Sequence, residues 1–304
     1  MKSPRRTLET LVQSGRQFLR SRRFRSLFGW LSFAIIAGSF FLKTGCRCEV
    51  NSETGAEKVF SDGNVVALTL AAQTGDVAKI DALVGDGVDV NARGKCNNTP
   101  LLRTLYARNW QGYQALLRHN ADPNILDDRG AAVTLLAAED GDPKWLREAL
   151  AHGGNPDLVD AGNPYAHDST PLFYAVGNSP VTLRGREENV RMLLAAGADP
   201  NYQHWDGKSA FYFAVENTDY EDAAAMLDAG ADMRLKAADG LDAVEFLRRG
   251  LAKSGTYAID EENKEWLFEL VERMNAKGAK LTARENIDIE HPGAGPGTDG
   301  NSGS

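Results

Sequence analysis

GADPNYQHWDGKSAFYFAV, residues 197–215, joins a short polar turn, a hairpin-like finger and the start of an apolar helix, and its opening segment returns along the chain. The related segments are GVDVNA at 87–92, NADPNI at 120–125, GGNPDL at 153–158 and GADMRL at 230–235. Asn91 to Asn124, Asn124 to Asp157 and Asn201 to Arg234 are each 33 residues apart, and only the step from Asp157 to Asn201 is longer, by 11. A fixed period of this length marks a solenoid, in which each unit buries its apolar face only against its neighbours.

Eight residues beyond Asn91, Asn124 and Asn201, and thirteen beyond Asp157, a helix begins. It reads TPLLRTL at 99–105, TPLFYAV at 170–176 and SAFYFAV at 209–215, with weaker versions VALTLAA at 66–72 and AVTLLAA at 132–138. Thr99 and Thr170 stand where a side chain caps a helix, and the proline that follows occupies the first turn, where a missing N–H does no harm. Gly75 and Gly141 fall where the first helix of a unit must stop. Leu83-Val84, Leu116-Leu117, Leu193-Leu194 and Met226-Leu227 belong to a second helix, closed by a glycine or asparagine able to turn left-handed. The 33-residue period and the TPLxxAA-like helix starts resemble the ankyrin repeat. That resemblance implies an all-α ankyrin-repeat solenoid over 61–283, with about five units and a degenerate sixth that caps the stack.

The pattern is departed from in particular places. Ala132-Val133 replaces Thr-Pro in the third unit, and the fourth carries extra residues in its finger (160–168) and between its helices (177–187). The sixth has about 15 extra residues between its helices. Its last helix follows an apolar spacing, Trp266, Leu267, Leu270, Val271 and Met274, behind the charged leader Glu261, Glu262, Lys264 and Glu265. Residues 284–304 are rich in Gly, Pro and Ser without periodicity and read as a disordered tail.

Ahead of the repeats lies a different kind of sequence. Residues 1–48 carry ten Lys and Arg against one acid, Glu9, which leaves 24 bases and 41 acids for the rest: a head of +9 and a body of −17. The bases stop at Arg25, and residues 26–42 (SLFGWLSFAIIAGSFFL) are apolar throughout. At about 1.5 Å per residue a helix of this length spans roughly 25 Å, the short end of what crosses a bilayer. The expectation is a basic cytoplasmic segment 1–25, a membrane helix 26–42 and a linker 43–60, with the repeats on the outer side of the cytoplasmic membrane, the periplasm in a bacterium. Two other readings of the same run stand: a cleaved signal, and a lipoprotein signal ending at Cys46. The cysteines, Cys46, Cys48 and Cys96, are too few for a disulfide scaffold, although a bridge from Cys46 or Cys48 to Cys96 suits an oxidising compartment.

The motif set points away from catalysis. His119, His152, His167, His204 and His291 stand singly, without a metal-ligand partner at helical spacing, and of the chain's thirty glycines those in the repeats fall at helix ends and turns rather than in a phosphate loop. No cofactor, metal, nucleic acid or small-molecule substrate is expected, and the body's acidity favours a basic protein as partner. An enzyme built on the inserted loops of the fourth unit would need a site near His167 and Asp168. The resemblance implies that binding uses finger tips and the exposed sides of first helices, which here are Tyr106, Glu139, Asp140, His167, Ser169, Asn178, Trp205, Asp206, Lys208, Glu216 and Asn217. Trp205 stands out, either as an exposed anchor or packed on the neighbouring finger near Tyr165; Trp110 and Trp145 read as core. Two roles fit such a module. One is an immunity or inhibitor protein that neutralises a secreted toxin, such as a lipase delivered by a type VI system; the other is an envelope scaffold or stress-protection factor.

Overall fold

In the computed structural model the described residues are 50–51, 53–160, 168–177, 186–252 and 261–282. The segments 1–49, 161–167, 178–185, 253–260 and 283–304 lie outside them, so the expected membrane helix, most of both insertions of the fourth unit, much of that of the sixth and the tail do as well. Among the described residues no helix is long and apolar enough to cross a membrane.

The described chain is helical. A short α1 (Ala56–Val59) precedes six helix pairs: α2 (Gly63–Thr74) with α3 (Val77–Gly85), α4 (Pro100–Tyr106) with α5 (Trp110–Arg118), α6 (Val133–Glu139) with α7 (Lys144–Ala151), α8 (Pro171–Val176) with α9 (Glu187–Ala195), α10 (Ala210–Asn217) with α11 (Tyr220–Asp228), and α12 (Ala243–Ala252) with α13 (Glu261–Ala276). First helices pack on first helices and second on second, so the stack has an inner and an outer helical layer. Extended pairing among the described residues is confined to two isolated bridges in the fingers, Gln203 with Ser209 and Lys236 with Asp242. One continuous core runs from Leu68 to Leu281.

The recurring turn explains the period. In each, an acid or amide two residues before the 33-residue marker accepts that marker's own amide: Asp89 from Asn91, Asp122 from Asn124, Asn155 from Asp157, Asp199 from Asn201 and Asp232 from Arg234. So held, the marker reaches the next unit. Asn91 Nδ2 donates to the Asn120 carbonyl and its Oδ1 accepts from Asp122 N; Asn124 does the same with Gly153 and Asn155, and Asn201 with Gly230 and Asp232. The Asp157 side chain has no N–H to give and only accepts, from Asp199 N at 2.7 Å. Arg234 only donates, to the Gly278 carbonyl at 3.3 Å. The receiving carbonyls belong to residues with positive φ, Asn120, Gly153, Gly230 and Gly278, as expected for the turn that closes a second helix.

Helix ends depart from expectation in two places. Thr99 Oγ caps α4 by accepting from Leu102 N at 3.1 Å, and Ser209 caps α10, but Thr170 makes no cap bond. Gly75 ends α2 in the left-handed conformation, whereas α6 stops at Glu139, before Gly141, because Asp140 turns to extended backbone and its carboxylate accepts from Asp142 N. The buried Asn189 of α9 seals that end from outside by donating to the carbonyls of Ala138 and Asp140.

Packing begins earlier than residue 61. Val50, Ala56, Val59, Phe60 and Val65 form a second buried cluster, and the buried Arg103 guanidinium of α4 donates to the carbonyls of Asn51 (2.5 Å) and Thr54. From Val50 onward, then, the segment read as linker rests against the first two repeats. Cys96, in the turn beside this cluster, is disulfide-bonded, with its partner outside the described residues. At the other end Leu267, Leu270, Val271 and Met274 of α13 are buried against α11, the cap expected of that helix. Trp145 is buried and Trp110 half-buried, packed edge to face at 5.2 Å on the outer layer.

Two measurements test this architecture. Asn124→Ala removes both cross-repeat bonds and should cost about 1–2 kcal/mol in urea unfolding, while Asp157→Asn restores the missing donor toward Gly197 and should stabilise by about 0.5–1 kcal/mol. Gly112 lies so close to α2 that a Cβ would stand 1.8 Å from the Ala72 carbonyl oxygen. Alanine there gains about 1 kcal/mol of helix propensity, yet Gly112→Ala should lower stability by about 2 kcal/mol, because overpacking dominates.

Candidate binding face

The inner helices and fingers of the third, fourth and fifth units enclose a cleft of about 220 Å³ lined by Glu139, Asp160, Ser169, Phe173, Tyr174, Gly177, His204 and Phe213. Its floor is aromatic. Phe173 on α8, His204 in the finger and Phe213 on α10 meet with ring centroids 5.3–5.9 Å apart. His204 is held there because its amide donates to the Lys208 carbonyl across the finger turn and its Nδ1 lies 3.2 Å from Asp206 Oδ1. Next to it Trp205 points outward with 66% of its surface exposed, its ring centroid 5.6 Å from that of His204. Trp205 therefore stands in solvent, while Tyr165 lies outside the described residues.

The walls are acidic. Asp160 is buried, and its carboxylate accepts from Ser169 N at 2.6 Å and from the Tyr174 hydroxyl at 2.9 Å. Burial first, then the charges of Asp160, Glu139 and Asp127, push the Tyr174 hydroxyl well above its ordinary range, so it stays a proton donor. Glu139 is exposed at the rim. Among the described residues neither Glu139 nor Asp160 is ion-paired, whereas Asp127 pairs with Arg129 (3.2 Å) and Glu216 with Lys208 (2.6 Å). The Lys208 ammonium also lies over the Phe213 ring, 5.1 Å from its centroid.

Of the residues expected to bind, Glu139 and Ser169 line this cleft, and Trp205, Asp206, Lys208 and Glu216 border it. Asn217 is used structurally, donating to the Gly177 carbonyl at 2.9 Å. Asp140 is tied to Arg108 through an ion pair. Tyr106 is half-buried one unit away, 5.8 Å from the Arg103 guanidinium. His167 and Asn178 lie outside the described residues. Missing from the expectation were Phe173, Tyr174, His204, Phe213 and Asp160, although the runs LFY and FYF in the fourth and fifth first helices were a usable signal, since that helix needs only one bulky apolar side for its own packing.

Among the described residues the other histidines contact groups at helix ends, His119 meeting Asp81 (2.6 Å) and His152 the Glu148 carbonyl (3.0 Å). No group of three or more metal-ligating side chains occurs among the described residues. On the outer layer, Asp222 of α11 is buried, and among the described residues its carboxyl makes no hydrogen bond or ion pair. Desolvation, then Asp219, Glu187 and Glu221, raise its pKa to about 7 against the lowering effect of Arg191. Desolvation and Glu187 raise Asp219 to about 6. Between the ordinary carboxylate value near 4 and about 7 the folded chain therefore holds more protons than the unfolded one, and stability falls as pH rises through that window. Asp222→Asn should flatten this slope and raise the unfolding free energy at pH 8 by about 2 kcal/mol, measured by denaturation across a pH series.

A family model described as ankyrin repeats matches residues 105–204 and 134–237. The chain is 30% identical over 153 residues to the nuclear factor NF-kappa-B p105 subunit of Gallus gallus, covering 50% of this chain and 15% of that protein. It is 27% identical over 249 residues to the human mitochondrial disaggregase, covering 74% and 34%. It is 31% identical over 121 residues to an ankyrin repeat-containing protein of Treponema pallidum, covering 39% and 37%. The chain thus spans little more than a third, at most, of the length of these relatives. Among solved structures, an ankyrin repeat domain from Acinetobacter baumannii superposes with a TM-score of 0.54 at 25% identity, over 68% of this chain and 97% of that one.

Proposed function

This chain is built of ankyrin repeats, a fold used typically as a protein-binding scaffold, and on that premise we propose that it binds its protein partner along the inner face of the third to fifth units, with Trp205 as the anchor. The observation that carries the proposal is the exposed indole beside an aromatic cleft whose walls hold two carboxylates that no base pairs among the described residues. Large apolar side chains are otherwise put away: Leu70, at 43%, is the other exposed one among the described residues. Aromatic anchors next to a desolvated pocket are where interface energy concentrates.

In the same proposal residues 26–42 hold the repeats on the outer side of the cytoplasmic membrane. The apolar run, the bases that stop at Arg25 and the disulfide at Cys96 support that location, since disulfides persist in oxidising compartments. An inhibitor of a secreted toxin is the specific role that this placement and an acidic binding face fit best.

Capture from the native cell with the tagged full chain tests the reading. Trp205→Ala should reduce recovery of a stoichiometric partner at least about tenfold with the thermal transition within a degree or two of the parent, as for a hot-spot aromatic. Trp205 is the better single probe than Lys208, which is committed to Glu216 and the Phe213 ring. Undiminished recovery would remove this face from consideration. A hydrolytic toxin among the captured proteins would establish the inhibitor role, and assembly factors alone would replace it with a scaffold role.

A further inference from the structure

We propose that the cleft between the third and fifth units is a receptor for one arginine side chain of the partner, with the guanidinium laid on the Phe173–His204–Phe213 floor and bonded to Glu139 at the rim. The inference rests on the protein-binding reading above and gives that face its chemistry. Size is the first argument. At about 220 Å³ the cleft falls below the roughly 300–1,000 Å³ of small-molecule sites and suits a single long side chain.

Charge is the second. The acids around Tyr174 are Asp127, Glu139 and Asp160, and among the described residues neither Glu139 nor Asp160 is ion-paired. Arg129 is paired with Asp127, Lys208 with Glu216, and Arg186 directs Nη1 toward the Tyr174 carbonyl at 3.5 Å while its charge acts on Asp219. Asp160 accepts on both oxygens, from Ser169 N and the Tyr174 hydroxyl, so among the described residues Glu139 is the carboxylate of the cleft without a bound donor. An anionic or neutral guest would face this field without a counter-charge.

Shape decides between the two cationic side chains. The floor is a set of ring surfaces and the acid stands to one side of it, an arrangement that a flat guanidinium satisfies by stacking and donating in its own plane. A lysine ammonium gains from the rings but has no planar edge to present to Glu139. The chain already places one cation against this cluster, since the Lys208 ammonium lies 5.1 Å from the Phe213 centroid.

The test uses the immobilised full chain and three pools of synthetic peptides, random except for a fixed central arginine, lysine or citrulline, the last being arginine's uncharged isostere. The arginine pool should be retained about tenfold over citrulline, the size expected from one charge-assisted hydrogen bond in a partly desolvated site, and above lysine. Glu139→Gln, an exposed change, and Phe213→Leu should each bring the arginine-to-citrulline ratio close to one. An arginine preference that survives both variants would belong to the general acidity of the body and overturn the inference. So would equal retention of all pools, or of none. Equal retention that is lost with Trp205→Ala would overturn the arginine site while leaving the binding face standing, and the capture experiment judges that face independently.

Discussion

At three junctions one amide side chain fastens a repeat to the next. Asn91, Asn124 and Asn201 donate to a carbonyl and accept from a backbone N–H two residues further along in the following unit. An isolated helix pair leaves both its apolar face and its turn carbonyls unsatisfied, so the hydrophobic stacking of Leu, Val and Ala side chains and this polar edge must agree on a single register. The preceding Asp, by holding the marker's own amide, fixes the side chain before the neighbour arrives. The inner face with its cleft exists only because three successive units are held in that register.

Much of this was legible in the chain. The 33-residue step identified the very residues that form the ladder, and the apolar pairs before each left-handed turn identified the second helices. Terminal capping by α13 followed from the spacing of Trp266 through Met274. What could not be read was of two kinds. Local alternatives of nearly equal energy were misjudged: Thr170 sits in the capping position without capping, and Asp140 ends α6 ahead of Gly141. Long-range contacts were invisible: nothing in the sequence near Arg103 says that its guanidinium meets the carbonyls of Asn51 and Thr54, 52 and 49 residues away.

The cleft belongs to the second kind. Glu139 comes from one unit, Asp160, Ser169, Phe173 and Tyr174 from the next and His204 and Phe213 from a third. Finger and helix positions predicted its rim, because repeat position specifies exposure. The floor depends on how far neighbouring inner helices stand apart, which follows from the sizes of side chains packed behind them. His204 illustrates the difference: a lone histidine by motif, it becomes part of a ring cluster because the finger turn folds it inward while sending Trp205 out.

The amide ladder also has a direction. Every complete rung gives and takes toward the C-terminal neighbour, Asp157 keeps only the accepting half, and Arg234 only the donating half. A unit bounded by two complete rungs, such as the stretch from Asn91 to Asn124, presents matching ends and is a self-contained cassette, open to duplication or exchange without a new joint. Past Arg234 the ends no longer match, and the array closes. Growth of such a protein is therefore easiest at its N-terminal half, away from the cleft, so the number of units and the chemistry of the binding face are free to evolve separately.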